Sequence, residues 1–205
     1  MKPSSVFNGA RLPNSIHLDF GCGNSPRNPY LCSQLYTVDL HGSGQGKDEF
    51  VIKQGEPLPF PDNYFASISA YDVLEHISRD TDGRNSFVFY MNELCRVLKR
   101  GGYAVFVFPS FPHRDAFSDP THINYITAET LNYFLGDNLN GSYAGITTAY
   151  KQLRNSKLRI WKNWVDDTQD SKFNVCNLRR ILSLAKRDFF RAINPGHRIW
   201  ILQKL

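Results

Sequence analysis

Short apolar runs alternate with segments of helical spacing along the chain, and this alternation predicts an α/β fold with a mostly parallel sheet. The apolar runs with the length of strands are residues 16–20, 35–40, 50–52, 65–70, 103–108, 158–164 and 197–204. Helical spacing extends over residues 91–98 and 178–192. The pattern contains no repeat or interdomain linker, so we predict a single domain over residues 1–205.

Polar and glycine-rich breaks predict where these elements end. Two basic residues followed by Gly101 and Gly102 predict a glycine cap at the end of helix 91–98. Thr127 is predicted to cap the start of a further helix, with Thr130 as its partner. Residues 136–150 are rich in glycine, asparagine and serine, which is typical of a loop.

The sequence HLDFGCGNSP at residues 17–26 joins the first apolar run to a loop with G-x-G spacing. A dinucleotide-binding loop would have its third glycine at position 26, where this chain has Pro26. Asp19 precedes the first glycine by two residues, and a carboxylate there favours a cationic ligand over a phosphate. The loop therefore predicts a ligand with a cationic group.

Acidic residues also follow the second and fourth predicted strands. Ligands of open parallel sheets bind at the carboxyl ends of the strands, so the loop 21–24, Asp39 and Asp72 are expected to share one cleft. A carboxylate at Asp39 can accept hydrogen bonds from two ribose hydroxyls at once. These positions together predict a nucleoside whose other end is cationic.

Basic residues are concentrated in the last quarter of the chain. The whole chain has a net charge of +5, whereas residues 151–205 have a net charge of +9 and residues 1–150 a net charge of −4. Such a segment is either a solvated basic face or a surface for nucleic acid, lipid head groups or a phosphate-bearing acceptor. Charge leaves these alternatives open.

The bulk composition, with 41% hydrophobic and 14% aromatic residues, is that of a folded chain. No apolar run approaches the roughly 20 residues that span a bilayer, and the N-terminal segment lacks the apolar stretch of a secretory signal. The four cysteines have no C-x-x-C spacing, so they predict neither a zinc site nor a disulfide framework. These features together predict a cytoplasmic protein.

Four segments in order resemble the class I S-adenosylmethionine-dependent methyltransferases: LDFGCGNSP, VDL, LPFPDNYFASISAYDVLEHI and NELCRVLKRGGYAVFVFPS. The resemblance covers residues 16–135 and is strongest to a type 11/23-like subgroup that includes many small-molecule, quinone and sugar methyltransferases. The run HRIWILQKL is similar to the usual last strand of the family.

This resemblance implies a doubly wound, Rossmann-like domain whose seven-stranded sheet is mostly parallel with an antiparallel last strand. It divides the chain into a cofactor-binding core at 16–110, an acceptor-site lid or insert at 111–165, and a basic C-terminal helix and last strand at 166–205. The implied cofactor is S-adenosylmethionine, and the implied product is S-adenosylhomocysteine.

The resemblance also implies the residues that hold the cofactor. Gly21 and Gly23 would let the backbone approach its methionine part and ribose. Asp19 would face its amino end, and Asp39 would bind the ribose hydroxyls. The other implied cofactor-binding residues are Cys22, Leu40, Gln54, Gly55 and Tyr71.

Three positions depart from the family pattern. Gln54 has an amide where an acid commonly contacts adenine, although its oxygen can still accept from the adenine amino group. Ala66 replaces a common aspartate, a change that affects packing more than chemistry. Cys22 stands where small residues are usual, and we interpret it as a buried inert thiol.

An acceptor hydroxyl must lose its proton during methylation, and we predict His122 as the base because imidazole titrates near neutral pH. Asp119 is expected to orient its ring. The D-P-T-H stretch at 119–122 resembles a subset of the family that is linked to glycan and polysaccharide modification. Alternatively, Asp119 caps a turn and His122 packs against the lid.

Asp72, Glu75 and His76 would lie on one face if their segment were helical. They would then be able to hold a divalent metal, with His122 or His113 completing the shell. This D-x-x-E-H arrangement resembles the E-x-x-E-H metal site of small-RNA 2′-O-methyltransferases. The alternative is that His76 is a cleft-wall or helix-capping residue of a metal-free enzyme. We assign Asp72 and His76 to the catalytic cleft and assign no metal ligand.

An aromatic cluster near the expected acceptor site is predicted either to stack on a sugar or base or to pack internally: Phe111, Phe117, Tyr125, Tyr133 and Phe134. From all of these features we expect a methyltransferase that O-methylates a hydroxyl of a sugar or glycan. One alternative is an RNA ribose 2′-O-methyltransferase whose basic C-terminal segment follows the phosphate backbone. The other is a non-catalytic module that binds S-adenosylmethionine.

Overall fold

The computed structural model describes residues 12–42, 48–79, 83, 85–136, 144–158 and 196–205. Its strands are β1 (Ile16–Phe20), β2 (Gln34–Asp39), β3 (Glu49–Val51), β4 (Phe65–Tyr71), β5 (Leu98–Pro109), β6 (Tyr150–Leu158) and β7 (His197–Lys204). They form one sheet in the order β3-β2-β1-β4-β5-β7-β6. Strands β1 to β5 pair in parallel, whereas β7 is antiparallel to β5 and β6. The predicted Rossmann-like sheet with an antiparallel last strand is confirmed.

The described helical segments are α1 (Ser86–Val97), α2 (Asp115–Ser118) and two 3-10 helices, at Leu74–His76 and Glu129–Phe134. Helix α1 begins where the Asn85 side chain accepts a hydrogen bond from the Val88 amide at 3.1 Å. Its buried face continues the larger core through Tyr90, Met91, Leu94 and Val97. None of the helices in these described ranges is long and apolar enough to cross a membrane.

Strand β5 shows why the sheet is apolar on both faces. Ala104, Phe106 and Phe108 belong to the larger core, and the alternate residues Val105 and Val107 belong to a second core on the opposite face. Successive strand residues point to opposite faces, so a central strand covered on both sides has a continuous apolar sequence. The run at 103–108 is therefore read as one strand from the sequence alone.

The predicted glycine cap at Gly101 is wrong. Helix α1 ends at Val97, and the next residue, Leu98, is already extended and pairs with Phe65 of β4. The following pair is Ser67 with Tyr103, so residues 99–102 form a bulge opposite the single residue 66. The positive φ of Gly101, +74°, serves this bulge and not a helix end.

The sixth strand lies earlier in the chain than predicted. It spans Tyr150–Leu158, whereas the sequence predicted a loop to residue 150 and a strand at 158–164. Its sequence, YKQLRNSKL, lacks an apolar alternation because the strand lies at the edge of the sheet. Residues 159–164 and the predicted helix 178–192 lie outside the described residues.

The predicted pairing of Thr127 with Thr130 is present at the second 3-10 helix. The Thr127 hydroxyl accepts from the amides of Glu129 and Thr130 at 3.1 and 3.3 Å. In return, the Thr130 hydroxyl accepts from the Thr127 amide at 3.0 Å. This reciprocal arrangement satisfies three amides at the start of the helix.

Candidate functional site

A cavity of about 200 Å³ opens at the carboxyl ends of β1, β2 and β4. Five residues that the sequence predicted for the site line it: Gly21, Asp39, Leu40, Gln54 and His76. The sequence reasoning missed the other lining residues, which are Phe20, Val38, His41, Ile52, Val73, Ile77 and Tyr90. Most of these are apolar residues at or just beyond strand ends, and that position along the chain is the signal that would have found them.

Gly21 begins the loop in a conformation that only glycine adopts readily. Its φ is +70°, and a Cβ at this position would lie 2.3 Å from Cγ2 of Val73. Its amide donates to the Val38 carbonyl at 2.7 Å. Gly21 therefore brings the turn after β1 into contact with both the end of β2 and the segment after β4.

Asp39 connects the glycine loop to the end of β2. Its Oδ2 accepts from the Gly23 amide at 2.8 Å, and its Oδ1 accepts from the His41 amide at 3.2 Å. A carboxylate has about four acceptor positions, so two further hydrogen bonds remain available at the cavity. This capacity fits the expected role of Asp39 in binding vicinal hydroxyls.

Asp19 lies beneath the loop and is only 1% exposed. Its oxygens accept from the Arg27 amide at 2.8 Å and from the Ser69 hydroxyl at 2.6 Å. Burial raises the pKa of Asp19 to about 7, although both hydrogen bonds act in the opposite direction. The carboxyl group therefore anchors the loop from below.

Three other predicted residues lie around the cavity without lining it. The Gly55 amide donates to the hydroxyl of Tyr90, which does line it, at 2.9 Å. Burial raises the pKa of Cys22 to about 11, which keeps the thiol protonated at neutral pH. Tyr71 is buried in the second core, and the Arg27 guanidinium lies 4.5 Å from its ring centroid.

The segment after β4 is not the continuous helix that would place Asp72, Glu75 and His76 on one face. Asp72 has a left-handed φ of +51°, and the 3-10 helix begins only at Leu74. The Asp72 side chain instead meets His197 at the start of β7, with Oδ1 and Nε2 3.1 Å apart. The register of β7 beside β5 pairs His197 with Pro109 and so places it next to Asp72. The sequence pattern did not predict this contact.

The structure brings together Glu75, His76 and His122, which we call the His–Glu cluster. One oxygen or nitrogen from each residue lies within 4.8 Å of those of the other two. The two imidazole rings meet edge to face with centroids 4.7 Å apart. His113, the other histidine considered from the sequence, instead pairs with Asp115 at 3.3 Å.

Hydrogen bonds fix the ring nitrogens of this cluster. Asp119 accepts from the Thr121 hydroxyl at 2.6 Å, so Thr121 must accept from Nδ1–H of His76 at 2.9 Å. The Ala116 carbonyl accepts from Nδ1–H of His122 at 3.2 Å. In a neutral imidazole the other nitrogen then has the lone pair, so both histidines present Nε2 as an acceptor.

Glu75 is the buried member of the cluster and is 1% exposed. Neither of its carboxyl oxygens accepts a hydrogen bond from another residue in the described ranges. Its Oε1 lies 4.0 Å from Nε2 of His122, and burial raises the pKa of Glu75 to about 8. A buried carboxyl without partners is costly, and such groups are common at functional sites.

The backbone of Glu75 holds the segment that carries His122. Its carbonyl accepts from the amides of Ile123 and Asn124 at 2.8 and 3.0 Å. The Asn124 side chain donates to the carbonyls of Leu74 and Ile77 at 3.0 and 2.6 Å. The first 3-10 helix is therefore the support on which the segment after β5 is docked.

Three aromatic rings of the segment that carries His122 remain about half exposed. Phe111, Phe117 and Tyr125 are 47–48% exposed. Phe117 contacts the rings of Phe111 and Tyr125 at centroid distances of 5.9 and 4.8 Å. Of the other predicted cluster members, Phe134 packs internally against Phe87, whereas Tyr133 is exposed.

Residues 18–106 match the family model for a methyltransferase domain. No curated protein matches the chain. An S-adenosylmethionine-dependent methyltransferase from Archaeoglobus fulgidus has a similar structure, with a TM-score of 0.58, 19% identity, and 97% of this chain and 88% of that chain covered. A complex of the Haloferax volcanii Trm112 methyltransferase activator with a methyltransferase gives a TM-score of 0.59 at 10% identity, with 95% and 84% covered.

A third similar structure is the geranyl diphosphate C-methyltransferase of Streptomyces coelicolor A3(2), bound to Mg²⁺, geranyl diphosphate and S-adenosylhomocysteine. It has a TM-score of 0.56 and 11% identity, and 98% of this chain and 76% of that chain are covered. These likenesses show the fold, and the family match covers the glycine loop, Asp39 and the first 3-10 helix. The match over residues 18–106 and the shared fold together support a class I S-adenosylmethionine-dependent methyltransferase, with S-adenosylmethionine as the methyl donor.

Proposed function

We propose that this methyltransferase O-methylates a hydroxyl group of a sugar or glycan. The observation that carries the proposal is the half-exposed aromatic surface of Phe111, Phe117 and Tyr125 on the segment that carries His122, whose ring contacts His76 at the cavity. Flat aromatic rings with exposed faces suit the apolar face of a sugar ring. The imidazoles of His76 and His122 supply the acceptor that a hydroxyl proton requires.

The described residues fit the methyl donor at the cavity. Its lining is mostly apolar, as an adenine ring requires, and Asp39 offers free acceptor positions for ribose hydroxyls. We assign the donor to Asp19, Gly21, Cys22, Gly23, Asp39, Leu40, Gln54 and Gly55, with Tyr71 supporting the loop through Arg27. When bound, S-adenosylmethionine supplies a methyl group that its sulfonium has already activated for displacement.

The chain's own contribution is to place the acceptor and to take its proton. Nε2 of His122 accepts the hydroxyl proton, and the His122 ring contacts His76, which lines the cavity. With the donor bound, the acceptor oxygen would bond to the methyl carbon while the carbon–sulfur bond breaks and its electron pair stays on sulfur. Asp72, which pairs with His197 at the end of β4, is assigned to orient the acceptor.

The first experiment is a calorimetric titration of the folded protein with S-adenosylmethionine, repeated with Asp39→Ala. The control is Asp62→Ala, whose side chain is 69% exposed and pairs with Arg96 away from the cavity lining. Binding to wild type and to the control, with loss in Asp39→Ala, supports the donor site. Absence of binding to folded wild type would overturn the proposed function.

The second experiment incubates the protein and S-adenosylmethionine with a panel of mono- and oligosaccharides and follows S-adenosylhomocysteine formation. A parallel set contains short single-stranded RNAs, because residues 151–205 have a net charge of +9 and RNA is the alternative acceptor. Turnover with a saccharide supports the proposal. Turnover with RNA alone would mean that the acceptor is RNA and not a saccharide. Donor binding without turnover on any acceptor would favour a non-catalytic binding module.

A further inference from the structure

We propose that Glu75, His76 and His122 bind one divalent transition-metal ion. The ligand set comes from two segments that fold against each other, the first 3-10 helix and the stretch after α2. One ligand atom of each residue lies within 4.8 Å of the others. Ligand atoms about 2.0–2.2 Å from a common ion lie at most about 4.4 Å apart, so small side-chain rotations would bring all three onto one ion. One carboxylate and two imidazoles leave coordination positions open for other oxygens.

The hydrogen bonds around the histidines are those of metal ligands. A ligating histidine typically donates its remaining ring N–H to a carbonyl or carboxylate, which fixes the tautomer and orients the ring. His122 donates from Nδ1 to the Ala116 carbonyl, and His76 donates from Nδ1 to Thr121, which in turn donates to Asp119. Both Nε2 lone pairs are thereby kept for another partner.

The buried carboxyl group of Glu75 is the independent observation that points to a ligand. It is 1% exposed and accepts no hydrogen bond from another described residue, yet it lies 4.0 Å from His122 Nε2. Burial of a carboxyl without partners costs stability, and an ion held by its oxygens would remove that cost.

The mixed nitrogen and oxygen set indicates the class of ion. Imidazole suits Mn²⁺, Fe²⁺, Co²⁺ and Zn²⁺, whereas Mg²⁺ and Ca²⁺ prefer oxygen ligands alone. Asp72 is excluded from the set because its carboxylate meets His197. His113 is excluded because it pairs with Asp115.

A bound ion would deepen the proposed function, and this part of the inference rests on it. An acceptor hydroxyl in an open coordination position loses its proton to water more readily, because a cation stabilises the resulting oxyanion. His122 Nε2 would then hold the ion and would not take the proton itself. His76, which also lines the donor cavity, would bring the coordinated oxygen near the methyl group.

The test is a titration of tag-free, chelator-treated protein with Co²⁺, followed by its visible absorption, without methyl donor or acceptor. We expect saturation at one Co²⁺ per chain. Glu75→Gln is isosteric, and His122→Asn keeps a donor for the Ala116 carbonyl, so both preserve the fold while removing a ligand atom. Each should weaken Co²⁺ binding by about 100-fold or more, and Thr121→Val should weaken it by about 10-fold.

His113→Asn is the matched control, because it removes a histidine outside the set and should leave Co²⁺ affinity unchanged. Circular dichroism on each variant checks that it is folded. Absence of saturable binding to wild type, or binding that survives both ligand substitutions, would overturn the inference. Since the titration contains no donor or acceptor, its failure leaves proton transfer to His122 standing, and a failure of methyl transfer leaves the metal site standing.

Discussion

His17 and Asp19 hydrogen-bond to the same hydroxyl group, that of Ser69, at 2.8 and 2.6 Å. Ser69 donates to Asp19, so it must accept from Nε2–H of His17, while the Ser67 hydroxyl lies 2.7 Å from Nδ1. All four side chains are buried beneath the glycine loop. The chain of hydrogen bonds keeps the histidine neutral and places it next to a carboxyl group whose pKa is raised.

The pH dependence of stability follows from this pair. Burial raises the pKa of Asp19 from 3.8 to about 7, so the folded state keeps a proton that the unfolded chain loses, and stability falls as pH rises across that window. Burial lowers the pKa of His17 from 6.5 to about 3, so the unfolded chain holds the extra proton and stability rises with pH. Between about pH 4 and 6.5 the two contributions oppose each other.

We therefore expect Asp19→Asn to expose the contribution of His17. Relative to wild type, its free energy of unfolding should increase by about 1.4 kcal/mol per pH unit between pH 4 and 6.5. Urea denaturation at several pH values measures this difference. His17→Gln should show the opposite slope, and parallel curves for Asp19→Asn and wild type would contradict the raised pKa of Asp19.

Gly21 should be the less replaceable of the two loop glycines. Alanine at Gly21 or Gly23 costs about 1–2 kcal/mol for the left-handed backbone, since their φ angles are +70° and +51°. Only at Gly21 does the new Cβ meet Val73, which adds about 1–3 kcal/mol of overpacking. Chemical denaturation and calorimetric titration of both variants compare them. Equal losses of stability in the two variants would mean that the Val73 side chain moves away from the new Cβ at no cost in free energy.

Arg96 should stabilise the fold by holding the loop at residues 58–62 against helix α1. Its guanidinium donates to Glu93 and Asp62 at 2.7 and 2.9 Å and to the carbonyls of Leu58 and Phe60 at 3.1 and 2.8 Å. Arg96→Met should lower the free energy of unfolding by about 2–4 kcal/mol, because Glu93 is left buried without its partner.

Arg96→Lys keeps the charge but loses the planar fork, so it should recover less than half of that loss. Full recovery by lysine would show that the charge alone matters. Asp62→Asn, at the exposed end of the network, should change stability by less than about 1 kcal/mol.

The exposed aromatic rings should affect acceptor binding more than turnover. Phe117→Ala removes the ring that contacts both Phe111 and Tyr125, so KM for a saccharide should rise about 5–10-fold with little change in kcat. Tyr133→Ala is the control, because Tyr133 is equally exposed, at 47%, but lies on the second 3-10 helix. A similar KM change in both variants would argue against an aromatic acceptor surface.

The sheet was predictable where apolar sequence and burial coincide. Residues 103–108 are buried on both faces, so their pattern has one interpretation, and β7 spans the predicted residues. The strand β6 was misplaced because its edge position tolerates polar residues such as Lys151 and Arg154. Local pattern gives no information about where such a strand pairs.

The site was predictable where one loop or strand end carries it, as at Gly21 and Asp39. The His–Glu cluster was only partly predictable, because Glu75 and His122 are far apart in sequence. They meet through hydrogen bonds from backbone amides to the Glu75 carbonyl, which leave no trace in the residue pattern. The left-handed backbone of Asp72 and the contact of its side chain with His197 were likewise not predictable from the sequence.

Under the proposed function, the docking of residues 111–126 on the first 3-10 helix defines the segment to exchange when a different acceptor is wanted. Residues 111–126 are held through the backbone of Glu75 and through Asn124, which bonds to Leu74 and Ile77. A replacement segment that supplies the same amides and an asparagine at this position would dock without redesign of the donor loop. Under the proposed function, exchange of residues 111–126 would change the acceptor, and Asn124 would have to be kept because it attaches the segment to the first 3-10 helix.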